Sequence, residues 1–218
     1  MTVMSPAVET AVPGLLASPP APLPFAPSLQ VRAFLLRRDQ GNVLVYSADT
    51  VDAATFAEAG GVARAYLNHG HEAAFGGPGV PGVPLFVHAA DRDLLPAERH
   101  VRATFSQRHL LDDDFEVIPT PGHTPGATAY LWDTGAHRLL FTGDTIFLRD
   151  GEWVAAVLDG SDRDAYLASL ELIRDLDYDV LVPWAASAGE PFYAVTSGAG
   201  ARRRVEAIIE RLRRGERS

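Results

Sequence analysis

From residue 31 onward, short runs of apolar and β-branched residues alternate with turn formers, and the pattern divides the chain into elements. Residues 31–36 and 43–46 are apolar runs joined through Gln40-Gly41-Asn42, which predicts a hairpin. Residues 51–59 suit a short helix closed by Gly60-Gly61. A strand over 62–67 then runs directly into Asn68-His69-Gly70-His71. A glycine- and proline-rich loop over 76–84 leads to a strand at 85–88. Further strands are expected at 115–118, 127–132 and 138–142, the last two joined by Asp133-Thr134-Gly135. Ser161, with Asp164 three residues on, reads as a capping box for a helix over about 162–176. A last strand at 179–182 stops at Pro183. Val205, Ile208, Ile209 and Leu212 then fall at i, i+3, i+4 and i+7, the stripe of an amphipathic helix. Strands come in two batches, each followed by helix, so the pattern predicts a layered α/β architecture rather than an alternating parallel sheet.

Ahead of this pattern, residues 1–30 hold seven prolines (Pro6, Pro13, Pro19, Pro20, Pro22, Pro24 and Pro27) and no basic residue precedes Arg32. That composition predicts an extended arm or loose leader over 1–30, followed by a single domain over 31–218. A secretory signal begins with positive charge, which this segment lacks, so a cytoplasmic chain is expected.

With 218 residues, 47% of them hydrophobic, there is material for one sizeable core. No apolar run approaches the ~18 residues of a membrane-spanning helix. The absence of cysteine excludes disulfides, thiolate metal sites and a cysteine nucleophile. The 19 basic and 28 acidic residues give a formal charge of −9, which repels phosphate backbones and anionic lipid. Neither nucleic acid nor a membrane is therefore expected as a partner, and a small-molecule substrate is. Every basic residue is arginine, which removes Schiff-base chemistry and the P-loop lysine. The arginine-rich usage suggests a bacterial source. Seven arginines near the C-terminus (Arg202, Arg203, Arg204, Arg211, Arg213, Arg214 and Arg217) read as a solvated helix face.

Chemistry concentrates at strand ends, where a rigid sheet presents functional groups. His69 and His71 follow one predicted strand, and Gly70 between them permits a turn that brings both rings toward one ion. His123 follows another strand in Thr120-Pro121-Gly122-His123-Thr124-Pro125-Gly126, and Asp144 follows a third in Phe141-Thr142-Gly143-Asp144-Thr145. Imidazole is the commonest protein metal ligand near neutral pH.

These three segments resemble the metallo-β-lactamase-fold family. Tyr66 to Gly77 is similar to its strand ending in T-H-x-H-x-D-H-x-G-G, Pro121 to Gly126 to its P-G-H-T-x-G, and Leu139 to Thr145 to its L-F-x-G-D-T. The two later motifs are arranged as in glyoxalase-II-like hydrolases. The resemblance implies an αββα sandwich with its site where strand-end loops meet. It also implies one zinc ion on His69, His71 and His123, supported by Asp144, which serves as a further ligand or as the catalytic group that orients water.

Departures from the family pattern are equally specific. The family's metal-binding aspartate is Ala73 here, the next histidine is Ala74, and the last histidine is Ala185 within Pro183-Trp184-Ala185-Ala186. One half of the family's two-metal site is kept and the other is emptied. Replacing an aspartate that acts as general base costs ~10²–10⁴-fold; Glu72, adjacent, is a candidate to reach inward in its place. The resemblance thus points to a metal-dependent hydrolase with a single retained site, acting on an ester, thioester or lactone. Two alternatives stand beside it. One is a non-catalytic, metal-poor binding relative. The other is a mononuclear iron dioxygenase using His69, His123 and Asp144, a two-histidine, one-carboxylate set that suits Fe(II).

Lesser candidates are His88, at the mouth of the site or simply in the surface or core, and Trp184 with Phe192-Tyr193, filling vacated space or packing normally. His100, His109 and His137 are expected to be solvated, and Asp112-Asp113-Asp114 to be a charged turn.

Overall fold

Proline does not keep the N-terminal stretch out of the fold. The computed structural model describes residues 8–77 and 79–217. Within the stretch expected to be a loose arm lie β1 (Val8–Glu9), β2 (Leu15–Ala17), β3 (Ala21–Leu23) and β4 (Ala26–Val31); residues 1–7 of that expected arm lie outside the described residues. Leu15, Ala17, Ala21 and Leu23 are all buried. The prolines inside strands, Pro22 and Pro27, occupy exposed positions, where a missing backbone donor is tolerated.

Two compact units make up the chain, Met1–Phe105 and Ser106–Ser218. In the first, β5 (Phe34–Leu36) and β6 (Val43–Val45) form the expected hairpin, with β2 antiparallel to β5 on its other side. After α1 (Ala53–Glu58) come β7 (Arg64–Tyr66), α2 (His71–Phe75), β8 (Leu85–His88) and β9 (Val101–Phe105). These strands complete a seven-stranded sheet in the order β1-β2-β5-β6-β7-β8-β9. Pairing from β6 to β9 is parallel, so each step needs a crossover. The crossovers are α1, α2 and a 3-10 turn at Ala89–Leu94. The predicted helix over 51–59 forms as α1, with Asp52 as its N-cap accepting from Ala54 N at 2.9 Å.

In the second unit, β10 (His109–Leu111), β11 (Phe115–Pro119), β12 (Thr128–Asp133) and β13 (Arg138–Gly143) form an antiparallel meander. A hairpin of β14 (Phe147–Arg149) and β15 (Glu152–Val154) follows, then α3 (Arg163–Asp175) and β16 (Val180–Pro183), which lies parallel to β13. The chain continues through β17 (Ala185–Ser187), parallel to β14, and β18 (Ala194–Val195), antiparallel to β16, to α4 (Gly198–Arg213).

Helix α3 starts one residue later than the sequence suggests. Asp162 is its N-cap, accepting from Ala165 N at 3.0 Å, while the Ser161 hydroxyl serves Leu158 N and His123 O instead. Tyr166, Leu170 and Ile173 of α3 and Val205, Ile208, Ile209 and Leu212 of α4 pack with Ile118, Ala129, Leu131, Leu140 and Leu181 of the sheet. The stripe predicted for α4 is therefore its core face, each such side chain adding roughly 1.5–3 kcal/mol through burial. Its arginines are largely committed within the unit: Arg202 pairs with Asp175 and Arg213 with Glu171, each at 2.7 Å, and Arg211 donates to Trp153 O at 2.7 Å. Among the described residues no helix is long and apolar enough to cross a membrane.

Candidate metal centre

Strand β7 ends at Tyr66, and the chain turns sharply through Asn68, His69 and Gly70 into α2, whose first residue is His71. Two carboxylates hold this turn. Glu72 is fully buried; its Oε1 accepts from Asn68 N at 2.7 Å and His69 N at 3.3 Å, and its Oε2 from Ser47 N at 3.0 Å. Asp91, also buried, accepts from Gly70 N at 2.8 Å. Gly70 is required by packing: a Cβ there would stand 2.6 Å from Leu94 Cβ.

The sequence offered Glu72 as a replacement for the aspartate position taken by Ala73. Its carboxylate is instead committed to three backbone N–H groups. Burial pushes the Glu72 carboxyl above the ordinary carboxylate range, while His69 and the backbone donors pull it down.

In the second unit, the loop after β11 carries His123. Gly122, at φ +140°, lets the loop lie against α3, where any Cβ would come within 2.4 Å of Tyr166 Cα. Asp144, which follows β13, places Oδ2 3.7 Å from His123 Nε2, with the Asp144 side chain 17% exposed.

Ring nitrogens are assigned by their neighbours. His123 Nδ1 lies 2.7 Å from Ala156 O, which can only accept, so Nδ1 carries the proton and Nε2 the lone pair of the neutral ring. His69 Nδ1 lies 3.0 Å from Asn68 Oδ1 and 3.4 Å from Glu72 Oε1, which fixes the same tautomer. Such outer partners are what metal-binding imidazoles carry. The rings of His69 and His71 meet edge to face with centroids 5.3 Å apart. His69 and His71 stand just after β7 in the first unit, and His123 follows β11 in the second. Among the described residues these three histidines are the candidates for holding a metal ion. The donor set fits a metal ion: three imidazoles, two with their protons held away on Nδ1.

The positions of the expected losses differ in character. Ala73 is buried with Leu67, Leu85, Val87 and Leu95 in a small apolar cluster. Ala74 is exposed, and Ala185 is buried in β17. His88 caps the 3-10 turn, accepting from Ala90 N at 3.2 Å, and its ring packs edge-on to Phe105. Phe192 packs on the core of the second unit, and Trp184 is buried. His100 and His109 are exposed, whereas His137, expected to be solvated, is half-buried and lies 2.8 Å from Asp179. Asp112 and Asp113 are exposed, and Asp114 accepts from Trp132 Nε1 at 3.3 Å. Sequence reasoning missed the roles of Asn68, Asp91 and Tyr166; Asn68 stands inside the first motif, and the other two stand in no marked pattern.

A family model for the metallo-beta-lactamase superfamily matches residues 50–185. A hydroxyacylglutathione hydrolase of Xanthomonas oryzae pv. oryzae (strain MAFF 311018) is 40% identical over 67 residues, 31% of this chain. That stretch spans 24% of the relative's length. Among solved structures, a B3 metallo-beta-lactamase with an active-site glutamic acid matches with a TM-score of 0.66 at 14% identity, covering 95% of this chain and 89% of that one. AidC, a dizinc quorum-quenching lactonase in complex with N-hexnoyl-L-homoserine, matches with a TM-score of 0.62 at 15% identity, covering 89% and 94%. At these identities the likeness is one of fold: mixed sheets with helices, the α/β class expected from the sequence.

Proposed function

The chain belongs to the metallo-β-lactamase superfamily, and from that membership we propose that it is a metal-dependent hydrolase with one retained metal site, acting on a small-molecule ester, thioester or lactone. In this reading His69, His71 and His123 hold one zinc ion. The observation that carries it is the pairing of the His69 and His71 rings, 5.3 Å apart, with the Nδ1 protons of His69 and His123 held by Asn68 and Ala156. The hydroxyacylglutathione hydrolase and the lactonase among similar proteins support the substrate class.

When bound, a zinc ion on three imidazoles lowers the pKa of a water in its open position to about 7 and polarises a carbonyl oxygen. The chain's own groups do the rest. Asn68 Oδ1 and Ala156 O keep the protons of His69 and His123 on Nδ1, so that both rings present Nε2. Asp144, beside His123 Nε2 and partly open to solvent, serves as a further ligand or accepts a hydrogen bond that orients the attacking water. Glu72, held by backbone donors, takes no part in proton transfer.

The test is elemental analysis of untagged protein after dialysis, followed by a screen of esters, thioesters and lactones. The expected result is close to one zinc per chain, with metal and turnover both lost in His69→Ala and His123→Ala. Near-stoichiometric iron with oxygen uptake would replace this reading by the oxygenase. A chain that takes up no metal even when it is supplied would make it a non-catalytic relative.

A further inference from the structure

Tyr166, on the first turn of α3, is fully buried, yet its hydroxyl meets three backbone groups. It accepts from Ala156 N at 3.1 Å and shares its own proton between Thr145 O at 2.8 Å and Asp144 O at 3.0 Å. Ala156 N also points at Asp144 O, at 3.3 Å. On its other side Ala156 accepts the His123 Nδ1 proton at 2.7 Å. One phenol therefore ties the backbone of Asp144 to the residue that sets the His123 ring.

The surrounding bonds make α3 the bed on which the His123 loop lies. Asp162 N donates to Gly122 O at 3.0 Å, Ser161 Oγ to His123 O at 3.1 Å, and Ser169 Oγ to Pro121 O at 2.7 Å. Packing alone does not call for a hydroxyl in this core. Tyr178 lies in the same cluster, and its buried hydroxyl has no hydrogen-bond partner among the described residues.

We propose that Tyr166 is a positioning residue for the metal site: through Ala156 it fixes the His123 ring with Nε2 presented for a metal ion, and it fixes the Asp144 backbone beside it. The inference rests on the reading of His123 as a ligand. Removing the hydroxyl leaves Ala156 N and Thr145 O without this partner and frees the acceptor of the His123 proton to drift.

The experiment compares Tyr166→Phe with Tyr178→Phe and wild type by two readouts. In metal-free protein, the His123 Nδ1 proton is followed by NMR; in the second, cobalt(II) affinity is measured by chelator competition together with the cobalt absorption spectrum. Tyr166→Phe is expected to shift or broaden the His123 proton, weaken cobalt binding ~10–100-fold, the usual effect of losing an outer partner, and alter the spectrum. Tyr178→Phe is expected to leave the His123 proton, the cobalt affinity and the cobalt spectrum unchanged. An unmoved His123 proton in Tyr166→Phe overturns the proposal, even if no form of the protein binds metal. A moved proton with undiminished cobalt affinity overturns it as well. Should Tyr166→Phe not fold, zinc loading of the wild type must shift the Tyr166 Cζ resonance, and an unchanged resonance counts against the proposal.

Discussion

Glu72 offers the sharpest test of how the histidine turn is held. Truncating it to alanine removes the acceptor of three buried N–H groups, those of Ser47, Asn68 and His69. Each buried donor left without a partner costs about 1–3 kcal/mol. Water entering the space left by the side chain favours the low end, so the total is about 3 kcal/mol. For a chain of this size that lowers Tm by roughly 6–12 °C. Glu72→Gln keeps a carbonyl oxygen for Asn68 and His69 but turns an amide NH₂ toward Ser47 N, setting donor against donor. One lost bond and one orphaned donor place its cost at about 1–3 kcal/mol. The expected order of stability is wild type, then Gln, then Ala. Calorimetry in excess chelator reads it without a contribution from bound metal. Both variants staying within about 0.5 kcal/mol of wild type, while turnover collapses, would refute the reasoning. Glu72 would then act on substrate, in the role left open at Ala73.

Three further outcomes are expected. If the histidine group binds zinc, zinc at a hundred times its dissociation constant adds about 2.7 kcal/mol; chelation then lowers Tm by roughly 5–11 °C, zinc restores it, and His123→Ala shows no response to either. Gly122→Ala must hold a Cβ at φ +140° and 2.4 Å from Tyr166 Cα, so thermal unfolding is expected to show a loss of about 3 kcal/mol or more; a loss under about 1 kcal/mol would contradict the close approach of loop and helix. Burial raises the phenols of Tyr166 and Tyr178 above their usual value of 10.0. Both are protonated in either state below pH ~10 and their stability contribution is then complete. Above that the unfolded chain ionises first, and each tyrosine costs about 1.4 kcal/mol per pH unit. Tyr178→Phe should reduce that alkaline slope by about 1.4 kcal/mol per pH unit in denaturant titrations, and an unchanged slope would show that its phenol ionises freely in the folded chain.

The metal-binding histidine candidates were readable because their signal is local: an apolar strand, an immediate turn and a histidine within a few residues. Asp91 and Tyr166 were not, nor was the holding role of Glu72, because each depends on partners brought close only by folding. Glu72 meets Ser47, 25 positions away, and Asp91 meets Gly70, 21 positions away. Strands β8 and β13 stand out through the apolar runs Leu85-Phe86-Val87 and Leu139-Leu140-Phe141. By contrast β9 is largely exposed and carries no clear alternation, and α2 is shorter than two helical turns, too brief for periodicity to show. The β14–β15 hairpin did leave a signal. Its two-residue loop is Asp150-Gly151, both at positive φ (52° and 80°), the backbone such a turn demands. Strands of three residues on either side concealed it. Proline hid β2 to β4, since composition was weighed there and the burial of Leu15, Ala17, Ala21 and Leu23 depends on neighbours the local sequence does not display.

That N-terminal segment also guards the sheet from its own kind. With β2 in place, β5 has a partner on both sides, and Phe34, Leu35 and Leu36 are fully buried. A chain begun at Val31 would leave the open flank of β5 as an apolar row of unpaired backbone donors and acceptors. Such a flank is a template for a strand from another molecule. Trimming the prolines to obtain a tidier protein is therefore expected to yield one that self-associates through β5, visible as concentration-dependent growth in light scattering. Beyond its place in the core, the N-terminal stretch serves as a guard against polymerisation.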